Sequence, residues 1–334
     1  MSPLARDQLF EAVELAATVL PVPWTHGRDR LDGTLEGHHG TYDITLEVPD
    51  AREFRVRVAS HERVPAAVAE QVDLLCMDAA WGMPTAGFYL SQRAGGAVVA
   101  AATIALNRYD EVPGPTILRN TIRECVLNAE LVSLLAKAVV QGCTIDEARA
   151  HRPQLFESLA AGELGGMPAF CIPVGWAPAD DHRLMDVCET AAAQADWATF
   201  RRADDQLVVG GETYVDLYDG CLIASTYSHE DVPAHRRSEV AKLLNRLLDD
   251  GAPFNLAIDL QTGTVVTRTV LDLRGLESLP HATLLCDVIY RSGAGSRVHR
   301  DAIARVADDR IDPSRPFGGG GTSLRDRLQA TRAA

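Results

Sequence analysis

The chain has 334 residues, 46% of them hydrophobic, with 46 acidic against 32 basic side chains and a formal charge of -14. That length exceeds the roughly 100–200 residues of one domain and predicts two, each with its own core. The charge repels a phosphate backbone or an anionic membrane surface, no basic run supplies a nucleic-acid groove, and no stretch approaches the roughly 18 uninterrupted apolar residues of a spanning helix. Neither nucleic acid nor membrane is an expected partner.

Asp7, Glu11 and Glu14 interrupt the apolar residues at the start of the chain, which therefore lacks the pattern of a secretory signal, and a cytoplasmic location is expected. Leu9, Val13, Ala16, Ala17 and Leu20 fall near helical spacing and predict a first helix. Alternation of period two follows in Ile44, Leu46 and Val48, then in Phe54, Val56 and Val58, as in strands with one buried face. After His61-Glu62-Arg63-Val64-Pro65 comes a second helix carrying Val72, Leu75, Cys76, Ala79 and Ala80. Gly82-Met83-Pro84 closes it, Phe88 to Gln92 and Ala97 to Leu106 predict two strands around the Gly95-Gly96 turn, and Ile122 to Val140 predicts a last helix. Residues 1–141 thus form one unit, and 142–181, rich in Gly, Pro and Ala, read as a linker with one short helix near Pro153 to Ala161.

Residues 182–311 repeat the string. Helical spacing from Leu184 to Ala195 is followed by Leu207 and Val209, Val215 and Leu217, and Leu222 and Ala224 as strands. His229-Glu230-Asp231-Val232-Pro233 then precedes a helix with a full apolar stripe of Val240, Leu243, Leu244, Leu247 and Leu248. Strands at Asn255 to Asp259 and Val265 to Leu273 and a helix from Ala282 to Tyr290 complete the unit, and 312–334, with Gly318 to Gly321, read as a flexible tail.

The two pentapeptides lie 229 − 61 = 168 positions apart. Three further matches keep the same order: Thr41-Tyr42 with Thr213-Tyr214, Gly82-Met83-Pro84 with Gly251-Ala252-Pro253, and Gly96-Ala97-Val98-Val99 with Gly263-Thr264-Val265-Val266. Correspondences in register are the signature of an internal repeat. The predicted fold is α+β: two tandem copies of an α-β-β-β-α-β-β-α unit, each a twisted antiparallel sheet packed by helices.

This element order, the tandem copies and the small acidic domains resemble the superfamily of type III secretion chaperones of the CesT kind and the YbjN-like domains, bacterial peptide-binding modules. The resemblance covers nearly the whole chain outside the linker and tail and rests on topology and spacing. It implies a non-enzymatic protein with no cofactor, whose partner is a protein client bound through an extended segment. It also implies an internal pseudo-dimer of the two copies, although the long insertion between them departs from the pattern.

The residues themselves offer little chemistry. His61-Glu62 and His229-Glu230 begin like the H-E-x-x-H zinc motif, but the second histidine is missing, and the glutamates are expected at a helix N-terminus with the prolines in its first turn. His38 and His39 near Asp43 read as a strand turn, Gly318 to Gly321 lacks the lysine of a phosphate loop, and most of the seven cysteines, with no CxxC pair, read as small buried hydrophobes. No metal site is expected. An extended partner can add to a sheet edge or lie in an apolar groove; Trp81, Phe88, Tyr89 and Phe254 are the candidate partner-binding residues, with core packing as the alternative role for each. Two other functions remain open: a scaffold bridging components of a signalling or conflict system, and an enzyme with a site between the copies.

Overall fold

A computed structural model describes residues 3–50, 53–105, 114–160, 178–203, 206–218, 220–276 and 279–308. The expected α+β class holds. The first copy runs α1 (Pro3–Ala17), β1 (Thr25–His26), β2 (Arg30–Glu36), β3 (Thr41–Asp50), β4 (Glu53–Arg63), α2 (Ala69–Gly82), β5 (Gly87–Ser91), β6 (Ala97–Ala105) and α3 (Pro115–Val140). Then come α4 (Ile145–Ala160) and the second copy: α5 (Pro178–Gln194), β7 (Thr199–Ala203), β8 (Gln206–Val209), β9 (Thr213–Tyr218), β10 (Cys221–His229), α6 (Arg237–Asp249), β11 (Asn255–Ile258), β12 (Val265–Asp272) and α7 (Ala282–Ala307). Both sheets are antiparallel and six-stranded, ordered β1-β2-β3-β4-β6-β5 and β11-β12-β10-β9-β8-β7. Each copy has four strands before its second helix where three were expected, the additional ones being the edge strands β1, of two residues, and β7, of five.

The alternation acts as a sorting rule. Tyr42, Ile44, Leu46 and Val48 of β3 turn into the core while Asp43, Thr45 and Glu47 turn outward. α1 and α3 cover the inner face of the first sheet, and α7, backed by α5, covers that of the second. The pentapeptide and glycine matches meet in space as they do in sequence, but Thr41-Tyr42 and Thr213-Tyr214 are out of register: Tyr42 is in the core, whereas in the second copy Thr213 is buried and Tyr214 turns to the other face. Val64 N–H donates to the Gly96 carbonyl at 2.9 Å, and Val232 N–H donates to that of Gly263 at 3.0 Å. Both glycines have left-handed backbones, with φ of +84° and +80°, a conformation that costs a side chain free energy. Pro65 and Pro233 each precede a single tight helical turn, at Ala66–Val68 and Ala234–Arg236, so they stand one position before the first turn expected to hold them. Glu62 does not lie at a helix N-terminus: it is the penultimate residue of β4 and accepts from Lys137 Nζ on α3 at 3.1 Å.

The helix expected near Pro153 is longer and starts earlier. Thr144 and Glu147 form a capping box: the Glu147 carboxylate accepts from Thr144 N–H at 2.8 Å, and Thr144 Oγ1 accepts from Glu147 N–H at 3.2 Å. The helix docks on α2 and α3, and Arg149 Nε donates to the buried Asp78 carboxylate at 3.0 Å. The readings of 161–177 as linker, of 312–334 as flexible tail and of Cys171 as a buried hydrophobe fall outside the described residues. Cys76, Cys125, Cys188 and Cys221 are buried, and Cys143 and Cys286 are half-buried.

The two copies meet along a seam. α2 packs against α6 and β11, and α6 against α2 and β5. A helix sandwiched this way is buried beyond its own stripe, which explains why Asp73 and Met77 on α2 and Asn245 and Asp249 on α6 leave solvent with the stripe residues. β5 ends its sheet, so its outward N–H groups need partners. Asn245 Oδ1 accepts from Leu90 N–H at 2.8 Å, and Asp249 accepts from Ser91 Oγ at 2.7 Å. In the other direction, Asn255 Nδ2 donates to the Pro84 carbonyl at 2.8 Å. Arg268 of β12 donates to the terminal carbonyls of α2, Ala80 at 3.2 Å and Trp81 at 2.7 Å, and lies over the Trp81 ring at 4.8 Å. A cation there complements the negative end of the helix dipole; burial nonetheless lowers its pKa to about 10.

The inner layers differ. α3 and α7 are both 26 residues long, so Cys125, Ala129 and Val132 of the first correspond by position to Ser292, Ser296 and His299 of the second. In the second copy these join Thr213, Thr226, Ser228 and Thr267 in a buried hydroxyl network, with His299 Nε2 at 2.9 Å from Thr267 Oγ1. Burial pushes the His299 pKa down to about 3, so the ring is neutral and serves as a packing residue.

Candidate partner-binding site

The four candidate residues lie in the core and the seam. Phe88, Tyr89 and Phe254 are 0%, 2% and 4% exposed. Phe88 and Tyr89 belong to β5 under α6, Phe254 packs on the His299 ring at 5.4 Å, and Trp81 lies half-buried under Arg268. Packing therefore accounts for all four. The structure places accessible aromatic residues elsewhere.

Five large hydrophobic side chains are exposed among the described residues: Leu15, Val140, Phe200, Tyr218 and Tyr227. The last three belong to β7, β9 and β10 of the second sheet, at 67%, 73% and 40% exposure. Strand register puts them on one face. Phe200 pairs with Val208, Val208 with Tyr214, and Tyr214 with Ser225, while Tyr218 and Tyr227 stand at the same parity along their own strands. The Tyr214 and Tyr227 rings meet edge to face at 5.2 Å, a favourable arrangement for two quadrupoles. From Tyr214 to Tyr218 the strand rises about 14 Å, a path of five residues for an extended chain. β7 is the terminal strand of its sheet and, among the described strands, is hydrogen-bonded only to β8.

The same face of the first sheet is built differently. Arg30 pairs with Asp32 at 2.6 Å and with Glu47 at 3.3 Å, Asp32 accepts from Thr45 at 3.0 Å, and Asp43 meets His61 at 2.8 Å and Thr34 at 3.2 Å. These ion pairs and hydrogen bonds run along the face, and no large hydrophobic side chain of this sheet is exposed among the described residues. The copies share a backbone plan and differ in what they offer a partner.

At its Tyr218 end the aromatic face runs into a cleft of about 280 Å³ between the copies. One wall is Tyr218, Cys221 and Ile223; the other is the turn Met83-Pro84-Thr85 with Glu124, Asn128 and Leu131 of α3 and Arg152 of α4. Met83, Pro84, Leu131 and Ile223 make it chiefly apolar, with polar groups placed as in small-molecule and side-chain pockets. Glu124 is already engaged: it accepts from Thr85 Oγ1 at 3.2 Å and pairs with Arg274, which also donates to Asp272 at 2.6 Å. Burial raises the Glu124 pKa despite Arg274, and although burial lowers that of Arg274, its hydrogen bond to Asp272 and the charge of Glu124 raise it overall. Asn120 Nδ2 completes the cluster on Asp272 Oδ1 at 3.3 Å and the Arg274 carbonyl at 2.7 Å. Arg152 lines the same wall with its guanidinium against Gly82.

None of Phe200, Tyr218 and Tyr227 was among the residues expected from the sequence to bind a partner. The outward alternation of Tyr214, Tyr218 and Tyr227 was the available signal, since tyrosines on the solvent face of a strand are not needed by the core. No group of three or more His, Cys, Asp or Glu side chains among the described residues is arranged to hold a metal, and no described helix is long and apolar enough to cross a membrane. No protein-family model, curated protein or solved structure matches the chain.

Proposed function

We propose that this chain is a binding protein that holds an extended segment of a client polypeptide along the outer face of its second sheet and into the cleft between the copies. The observation that carries the reading is the concentration of exposed Phe200, Tyr218 and Tyr227 on one sheet face continuous with an apolar cleft. An extended chain laid there can bond to the β7 edge and place alternate side chains on the aromatic face, the strand-addition mode of recognition. Tyrosine supplies contact area at small conformational cost, which suits a surface that must accept varied side chains. The engaged state of Glu124 favours holding a ligand over proton transfer, and the net charge of -14 favours a neutral or basic client. The likeness of the tandem units to secretion-chaperone and YbjN-type domains points the same way, with the cytoplasm as the place of action.

The reading is tested by affinity capture from the native host with the full chain and with Phe200→Glu/Tyr227→Glu, using Thr34→Glu on the first sheet as control. A client recovered with the wild type and the control but lost with the double variant supports it. Equal recovery by all three rejects it.

A further inference from the structure

Along the seam, α2 and α6 flank a second groove, of about 710 Å³, lined by the cations Arg93, Lys242 and Arg246 and by the carboxylates of Glu70, Asp73, Asp249 and Asp250. Lys242 Nζ is 2.9 Å from Glu70 Oε2, and Ser238 Oγ holds the other Glu70 oxygen at 2.6 Å. Arg93 pairs with Asp250, and Asp249 accepts from Ser91 with Arg57 at 4.0 Å. Asn245, the nearest amide, is used up: its oxygen accepts from Leu90 N–H, and its nitrogen donates to the backbone carbonyls of Asp73 at 3.3 Å and Ala241 at 2.9 Å. That leaves the Asp73 side chain, 8% exposed and lining the groove, with no hydrogen-bond or ion-pair partner among the described residues. A buried carboxylate without a donor is costly unless a ligand supplies one.

We propose that this groove is a binding site for an organic monocation, an ammonium or guanidinium on an alkyl stem, whose head is held by the Asp73 carboxylate and whose stem lies along Ala66, Ala69 and Leu90. A single carboxylate without a hydrogen-bond or ion-pair partner among the described residues suits one cationic head, and these three apolar side chains on the groove wall suit a short methylene chain. The groups facing Asp73 are Glu70 and Cys76 on its own helix and Lys242, Arg246 and Asp249 on α6. Burial raises the Asp73 pKa to about 7, against the lowering effect of Lys242, so the site is charged and receptive above neutrality and loses its cation as the pH falls. The site is separate from the aromatic face and does not rest on the client-binding reading. A free amine and a lysine or arginine side chain of a polypeptide share this chemistry.

The test is calorimetric titration of the full chain at pH 8 and pH 5.5 with agmatine, with N-acetyl-lysine amide and with the neutral N-acetyl-norleucine amide. One-to-one binding of either cation is expected at pH 8, weaker at pH 5.5, with none of the neutral analogue; the tighter cation identifies the source. Asp73→Asn is expected to lower the affinity at least about tenfold. Glu70→Gln, which keeps Asp73 but frees Lys242 to compete for it, is expected to weaken binding too, and it serves if Asp73→Asn fails to fold. Undiminished binding to either variant, or no binding of either cation by the wild type at millimolar concentration, overturns the proposal.

Discussion

Gly96 and Gly263 occupy the same place in the two copies and have nearly the same φ, +84° and +80°, so replacing each by alanine separates backbone strain from crowding. The left-handed conformation costs an alanine about 1–2 kcal/mol at either site. At Gly96 the new methyl would lie 3.3 Å from the Val64 carbonyl oxygen, a tight contact that a small shift relieves. At Gly263 it would lie 2.4 Å from the Val232 oxygen and 2.8 Å from the Val232 nitrogen, backbone atoms that cannot rotate away. Relief there moves the chain that carries the Val232-to-Gly263 hydrogen bond, and overpacking of this sort adds about 1–3 kcal/mol. Gly96→Ala should therefore destabilise by about 1–2 kcal/mol and Gly263→Ala by about 2–5 kcal/mol. Urea unfolding followed by tryptophan fluorescence gives both values. Equal losses, or a larger loss at Gly96, would refute the claim that approach of the Val232 backbone is what selects glycine in the second copy.

Further outcomes follow from the seam. Asn245→Ala leaves the buried Leu90 N–H without an acceptor and should cost about 1–3 kcal/mol in the same urea assay. Arg274→Met strands Glu124 and Asp272 beside each other and should cost about 3–5 kcal/mol at pH 7, whereas adding Glu124→Gln to it should recover part of the loss. A carboxyl moved from 3.8 to about 7 makes the folded state bind more protons than the unfolded state between those values. Stability from Asp73 is thus present at pH 4 and lost as the pH rises towards 7, by up to about 4 kcal/mol. The wild-type minus Asp73→Asn difference across pH 4 to 8 should show that fall, and a flat difference would contradict it.

Much of the fold was legible because it is written in local pattern twice. Period-two residues such as Ile44, Leu46 and Val48 and the helical stripe of Val240 to Leu248 each report one buried face, and the duplicated pentapeptide supplied the register between the copies. Pattern reports only one face. The second buried side of α2 and α6, with Asp73, Met77, Asn245 and Asp249, is made by the other copy, and no spacing within either helix encodes it. Phe88, Tyr89 and Phe254 therefore looked surplus to their strands when they fill the core and seam. The start of α4 was readable from Thr144-x-x-Glu147 but was masked by the surrounding glycines and prolines. The aromatic face could not be assembled from sequence, because Phe200, Tyr218 and Tyr227 come together only through the pairing order of β7 to β10.

The most direct test of client binding places a photo-crosslinking benzoylphenylalanine at Tyr218, where the aromatic face enters the cleft, and at Thr45 on the charged face of the first sheet, in the full chain in its native host. The expected result is a crosslinked protein at position 218 and none at 45, with the attachment points mapping to one contiguous stretch of the client. Crosslinking of equal yield at both positions, or only at position 45, would contradict the account.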